Sequence, residues 1–237
     1  MTRIPTSSEI EDYLDPAYYE EQVQGSSSKH HEDQLRNYKK LIEPYAGKLV
    51  LDVGAGSGKT VAIMSEKAHY AIALDFSPIS VRTAKKMIHT SGKEENAGVV
   101  QSRGEVLPFP DNTFDMVTAL DFVEHINNEE YEKLIVEIKR VLKPNGTLCI
   151  YTPNKTYFLE YIYKIVFGPG HRPQHFGLKT IPELLAPLAQ HGYEVAHLST
   201  QANYVPVLRQ VEQVLMHLPV VGQLFKRRVS IRATKRA

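Results

Sequence analysis

A chain of 237 residues with a hydrophobic fraction of 42% is long enough to bury one substantial α/β core and carry an appended segment. Its formal net charge of +1 excludes a global electrostatic pull toward nucleic acid or membrane, so any such contact must come from a local cluster. The single cysteine, Cys149, excludes an intrachain disulfide framework, and no Cys/His spacing suggests a structural metal, which fits a reducing, cytoplasmic setting.

The N-terminus lacks the apolar core of a signal peptide, and no run of about 18 apolar residues is present to cross a bilayer. Residues 8–24 and 29–45 read as two helices divided by Gly25-Ser26-Ser27-Ser28. The first is acidic and tyrosine-bearing; the second places Leu35, Tyr38, Leu41 and Ile42 at helical spacing. Residues 1–46 are therefore expected to form a helical N-terminal extension, read as a lid. Residues 47–237 are expected to form one domain. From Lys48 short apolar runs alternate with helical segments: "KLVLDV", "YAIALD", "GVVQSR", "FDMVTAL" and "GTLCIY". That alternation predicts a doubly wound, mostly parallel sheet with helices on both faces. An aromatic-rich, irregular stretch follows Tyr151 and makes an insertion over about residues 153–180. A helix then starts near Thr180-Ile181-Pro182-Glu183, with threonine as its cap. "YEVAHLST" and "RRVSIRAT" supply the sixth and seventh strands, with a mostly helical segment between them.

The informative motif is "VLDVGAGSGKT", residues 50–60. A phosphate-binding loop would need glycine where Val53 stands, and a dinucleotide fingerprint would need glycine at Lys59. Asp52 would also repel a pyrophosphate. The pattern present is D-x-G-x-G-x-G, an acid beside a glycine cradle, which suits a ligand with cationic groups such as S-adenosylmethionine. Asp75 closes the second strand about 20 residues on, where an acid can accept from ribose hydroxyls.

With these motifs in place the chain resembles the Rossmann-like, class I S-adenosylmethionine-dependent methyltransferases, in the broad group that includes ubiquinone and menaquinone biosynthesis methyltransferases. "VLDVGAGSG", "ALDFSPISVRTA", "GEVLPFPDNTFDMV", "ALDFVEHI" and "EIKRVLKPNGTLCIYTPN" carry the resemblance over residues 47–155. It implies a seven-stranded sheet. It also implies that Gly54, Gly56 and Gly58 line the methionine part of the cofactor, with Asp52 near its amine, and that Ala55 and Asp121 belong to the cofactor-binding residues. Asp75 would bind the ribose, Phe76 would lie against the adenine or pack locally, and Glu105 and the Val106 backbone would meet the adenine edge. The product would be S-adenosylhomocysteine.

His125 follows the fourth strand, at the carboxyl edge where open α/β sheets bind ligands, and its ordinary pKa suits a general base; capping or packing the next helix is the plain alternative. Glu124 would orient it or face solvent. Tyr19, beside Tyr18, and His171 and His175 of the insertion are candidate acceptor contacts. Pro173 between the two histidines argues against a metal pair, and no metal is expected. The sequence thus predicts methyl transfer to a small-molecule acceptor, at oxygen, with N- or C-methylation or non-catalytic cofactor binding as alternatives. No nucleic-acid partner is expected. The apolar segment 214–225 and the six basic residues from Lys226 onward suggest peripheral contact with an anionic membrane, the alternative being a charged last strand. A monomer or homodimer is expected.

Overall fold

The computed structural model of the chain describes residues 29–167, 176–202, 206–219 and 221–236. Seven strands make one sheet: β1 (Leu49–Val53), β2 (Tyr70–Asp75), β3 (Ala97–Gln101), β4 (Phe114–Leu120), β5 (Leu142–Pro153), β6 (Tyr193–Gln201) and β7 (Arg228–Lys235). Their order is β3-β2-β1-β4-β5-β7-β6. Each of the paired strands from β1 to β5 runs parallel to its neighbours within that group, and β7 is antiparallel to both β5 and β6. All seven runs read from the sequence are strands. The helices are α1 (Lys29–Ile42), α2 (Lys59–Met64), α3 (Pro78–Thr90), α4 (Asn128–Val141), α5 (Phe158–Phe167), α6 (Ile181–Gln190) and α7 (Pro206–Leu215).

Strand side chains alternate between faces, and the central strands are apolar on both, so two separate cores form. Val50, Met116, Cys149 and Tyr151 face Leu41 and Ile42 of α1, Val61 and Met64 of α2, and Ala84 and Ile88 of α3. Leu51, Val53, Val117, Leu148 and Ile150 face Tyr131, Leu134 and Ile138 of α4 and Leu184 and Leu188 of α6. The helix stripes match this division. α4 opens on a reciprocal capping box between Asn127 and Glu130, and α6 on the one between Thr180 and Glu183. The last carbonyls of α1 are closed from β7, where Arg232 donates to Lys40 and Leu41.

Two expectations are corrected. The stretch after Tyr151, read as irregular, contains the ten-residue helix α5. Strand β5 starts at Leu142 rather than Gly146, with a shift of its pairing against β4 between Phe114 and Met116. The helix expected over 29–45 is α1 followed by a 3-10 turn at Glu43–Tyr45. The helix expected over 8–24 lies outside the described residues.

Between β1 and β4 the chain order reverses, since β2 and β3 extend one way and β4 and β5 the other. The connections leaving the carboxyl ends of β1 and β4 therefore part there, at the place where open α/β sheets take their ligands.

Candidate functional site

The glycine loop leaves β1 at this reversal. The amides of Gly54 and Ala55 both donate to the Leu74 carbonyl, at 2.8 and 3.0 Å, so the loop is hung on the end of β2. Gly54 and Gly56 hold positive φ angles, +70° and +51°, a region in which a side chain is strained. Their surroundings differ. A Cβ on Gly54 would stand 2.1 Å from the Phe122 ring, whereas one on Gly56 would meet nothing within 4 Å. The backbone at Gly56 is thus bare toward open space, as close approach of a ligand requires, while Gly54 makes room for Phe122.

Two acids flank the loop. Asp52, in β1, is 3% exposed and accepts from the Thr118 hydroxyl at 2.5 Å. Burial, together with the charge of Asp75, pushes its carboxyl up to about 7 against the pull of the Thr118 bond. Asp75 accepts from the amide of Gly56 at 2.9 Å and from that of Ser77 at 3.0 Å. Burial raises its pKa, and the bonds to Ser77 and Gly56 oppose that rise. Asp75 therefore also ties the glycine loop to the turn after β2, which sequence alone did not reveal.

Phe76 is half-buried and its carbonyl accepts from Gln101. Glu105 is half-buried in the turn after β3, and Val106 is 68% exposed. The Val106 amide, expected to offer a contact, donates to the Arg103 carbonyl at 3.3 Å, and the Val106 carbonyl accepts from Ser102. This turn is stitched to α4: Arg140 donates to the carbonyls of Leu107 and Phe109, and Glu137 accepts from the Leu107 amide.

At the end of β4, Asp121 adopts φ +50°. It accepts from Gln34 and Tyr38 of α1 and pairs with Arg228 at the start of β7. Burial, reinforced by the charge of Asp121, lifts the Tyr38 hydroxyl well above its ordinary range. Residues Val123–His125 make a 3-10 turn. Glu124 is 1% exposed and accepts from Thr152 at 2.9 Å; burial first, then the Asp121 charge, raise its carboxyl to about 8. It does not face solvent. His125 is half-buried and its amide donates to the Phe122 carbonyl.

The glycine loop, Asp52, Asp75 and the Asp121–His125 segment thus gather at one edge of the sheet. Tyr18, Tyr19, His171 and His175 lie outside the described residues. No group of three or more His, Cys, Asp or Glu able to hold a metal occurs among the described residues. Sequence reasoning missed Phe122, Gln34, Tyr38, Lys179 and Arg228. Only Tyr38 carried a signal, its place on the apolar stripe of α1.

Residues 51–150 match the family model described as a methyltransferase domain. The ubiquinone/menaquinone biosynthesis C-methyltransferase UbiE of Shewanella piezotolerans is 25% identical over 176 residues, 72% of this chain and 65% of that protein. Phosphoethanolamine N-methyltransferase 1 of Triticum aestivum is 32% identical over 110 residues, 46% of this chain and 22% of its own length. The chain therefore spans less than two thirds of these relatives. Among solved structures, that of the [4+2]-cyclase SpnF aligns with a TM-score of 0.72 at 20% identity, covering 98% of this chain and 97% of the other. At that identity the likeness establishes a shared fold.

Proposed function

We propose, from the match of residues 51–150 to a methyltransferase-domain model, that the chain is a class I, S-adenosylmethionine-dependent methyltransferase and that the whole protein transfers a methyl group from S-adenosylmethionine to a small-molecule acceptor, at an oxygen. The observation that carries the cofactor assignment is the pairing of an open glycine loop with a buried, desolvated acid. Among described interactions Asp52 has a hydroxyl partner and no cation, so a ligand ammonium beside it supplies the missing charge. A pyrophosphate there would meet repulsion from both Asp52 and Asp75.

Bound S-adenosylmethionine supplies an electrophilic methyl on a sulfonium. In this reading Asp75 and the Gly56 backbone hold its ribose side, Asp52 its amine, and the turn around Glu105 its adenine edge. His125 accepts the proton of an acceptor hydroxyl as the oxygen approaches the methyl carbon, and alignment contributes much of the rate. The relatives' printed names include C- and N-methyltransferases, so the choice of oxygen rests on His125, a base that an already ionised or amine acceptor needs less.

We also read α7 and the residues after it as a peripheral membrane contact. Val207, Val211, Val214 and Leu218 repeat at helical spacing and are 75, 50, 70 and 46% exposed. Glu212, the helix's acid, is buried and accepts from Tyr157, and this stretch of the sequence also carries the basic residues Arg209, Lys226 and Arg227. No helix among the described residues is long and apolar enough to cross a membrane.

Equilibrium binding of S-adenosylmethionine, NAD and ATP tests the cofactor assignment. Saturable binding of the first alone is expected; preferential binding of either nucleotide would overturn it.

A further inference from the structure

Lysine is rarely enclosed in a core without a reason, yet Lys179 is 1% exposed. Its Nζ donates to the carbonyls of Val123 at 2.8 Å, Ile126 at 2.7 Å and Gly177 at 2.8 Å, and lies 5.2 Å from the centroid of the Tyr131 ring. Three acceptors require three N–H donors, so this arrangement belongs to the ammonium; a neutral amine has two hydrogens and leaves one carbonyl without a partner.

The three carbonyls come from two segments. Val123 and Ile126 bracket His125, while Gly177 belongs to the chain returning from the insertion. That chain lies flush on the turn: the Gly177 amide donates to the Glu124 carbonyl at 2.9 Å, and a Cβ on Gly177 would stand 1.9 Å from the Ile126 oxygen. The insertion also leaves and rejoins the sheet at one place, through a parallel bridge between Asn154 and Lys179 and a bond from the Lys155 amide to the Lys179 carbonyl. One side chain at the neck of the insertion is therefore bonded to both flanks of the turn that carries His125.

We propose that Lys179 is a positioning residue, whose ammonium clasps the Val123–Ile126 turn to the neck of the insertion, at Asn154–Lys155 and Gly177–Lys179, and so fixes the place of His125. The functional half of this inference rests on the reading of His125 as the base; the clasp itself does not.

The charged and titratable groups around the amine are Glu124 of the turn, Glu130 and Tyr131 of α4, Glu183 of α6, and Lys155 beside the bridge. Burial lowers the Lys179 pKa to about 8, opposed by Glu124, Glu183 and Glu130 and assisted by Lys155. The clasp is accordingly closed below about pH 8 and opens above it. Turnover should therefore fall as the clasp opens.

The test combines hydrogen exchange with kinetics. In the wild-type protein, protection of the His125 and Gly177 amides, corrected for intrinsic exchange, should fall as pH rises through about 8 while the amides of β1 keep theirs. Lys179→Met keeps the side chain's bulk and removes the donors. It should lose that protection at every pH, lower kcat by about 10²-fold, the cost of misplacing a reacting group by about an ångström, leave cofactor affinity near normal, and abolish the alkaline limb of the pH profile. Wild-type protection unchanged to about pH 10, or a Lys179→Met variant with normal kcat and an intact alkaline limb, would overturn the proposal. If Lys179→Met does not fold, the wild-type exchange profile decides the clasp alone. A protein without methyl transfer would instead defeat the function proposed above, and the exchange result would still stand.

Discussion

Asp52 is a carboxyl that burial holds near half-protonation at neutral pH, with a folded-state pKa of about 7. Pairing it with a ligand ammonium requires the ionised form, so cofactor binding should expel a proton below that pH. Affinity for S-adenosylmethionine should then weaken by about tenfold per pH unit below about 7. Calorimetry in two buffers of different ionisation heat measures both the affinity and the proton release. Asp52→Asn should bind more weakly and without this pH dependence; a wild-type affinity that is flat from about pH 5 to 8 would remove Asp52 from the ammonium site. Asp75 makes a different prediction. Asp75→Ala removes the tie to Gly56 and, in the reading proposed above, the ribose acceptors, and should cost about 1.5–3 kcal/mol of cofactor binding per charged hydrogen bond lost. Unchanged affinity in calorimetry would contradict the assignment. The same burial sets the ligand-free protein's response to pH. Asp52 and Glu124 have raised folded pKa values of about 7 and 8, so the folded state binds more protons than the unfolded one from about pH 4 upward. Their contribution to stability is complete below the unfolded pKa and is lost as pH rises through about 7 to 8. Lys179 runs the other way: its lowered pKa means that the unfolded state holds the extra proton above about 8, so its contribution rises there. Thermal unfolding of the free protein should show a midpoint that declines from about pH 5 to 8.

Among the elements, α1 is the one whose role changes most between sequence and structure. Its apolar stripe packs into the sheet, and its polar residues reach across to Asp121, which Arg228 meets from β7. Arg228→Met strands a largely buried carboxylate and should cost about 3–5 kcal/mol, much of it recovered on adding Asp121→Asn. Denaturant midpoints of the single and double variants measure this; equal losses in all of them would mean that the pair is not what holds α1 to β7. The strands were legible because parallel central strands are continuous apolar runs, and the cap of α6 was legible because Thr180 and Glu183 are local in sequence. α5 was not, since its ten residues carry only Glu160 and Lys164 as charged groups and merge with the aromatic-rich stretch around them, while Ile162, Ile165 and Val166 are exposed. The Asp121–Arg228 pair spans 107 residues, and nothing local announces it. Lys179 reads as an ordinary surface lysine until the fold brings three carbonyls to its amine.

At the scale of the molecule, the site lies at the reversal of strand order, where this architecture places ligands. The fold does not decide the reaction, and a cyclase with nearly the same chain path makes that concrete. The membrane reading is tested by co-sedimentation with vesicles: wild type should bind anionic vesicles and not neutral ones, and Val211→Asp with Val214→Asp should release it. Binding that is equal on both vesicle types, or absent on both, would contradict it. The central claim is methyl transfer to a small molecule, and the most direct measurement follows a deuterated methyl from S-adenosylmethionine into a metabolite extract by mass spectrometry. The account predicts one or more low-mass products carrying the label, formed together with S-adenosylhomocysteine by the wild-type protein and lost with Asp75→Ala. Saturable cofactor binding with no labelled product above that variant's background would contradict it and leave a protein that binds the cofactor without catalysis.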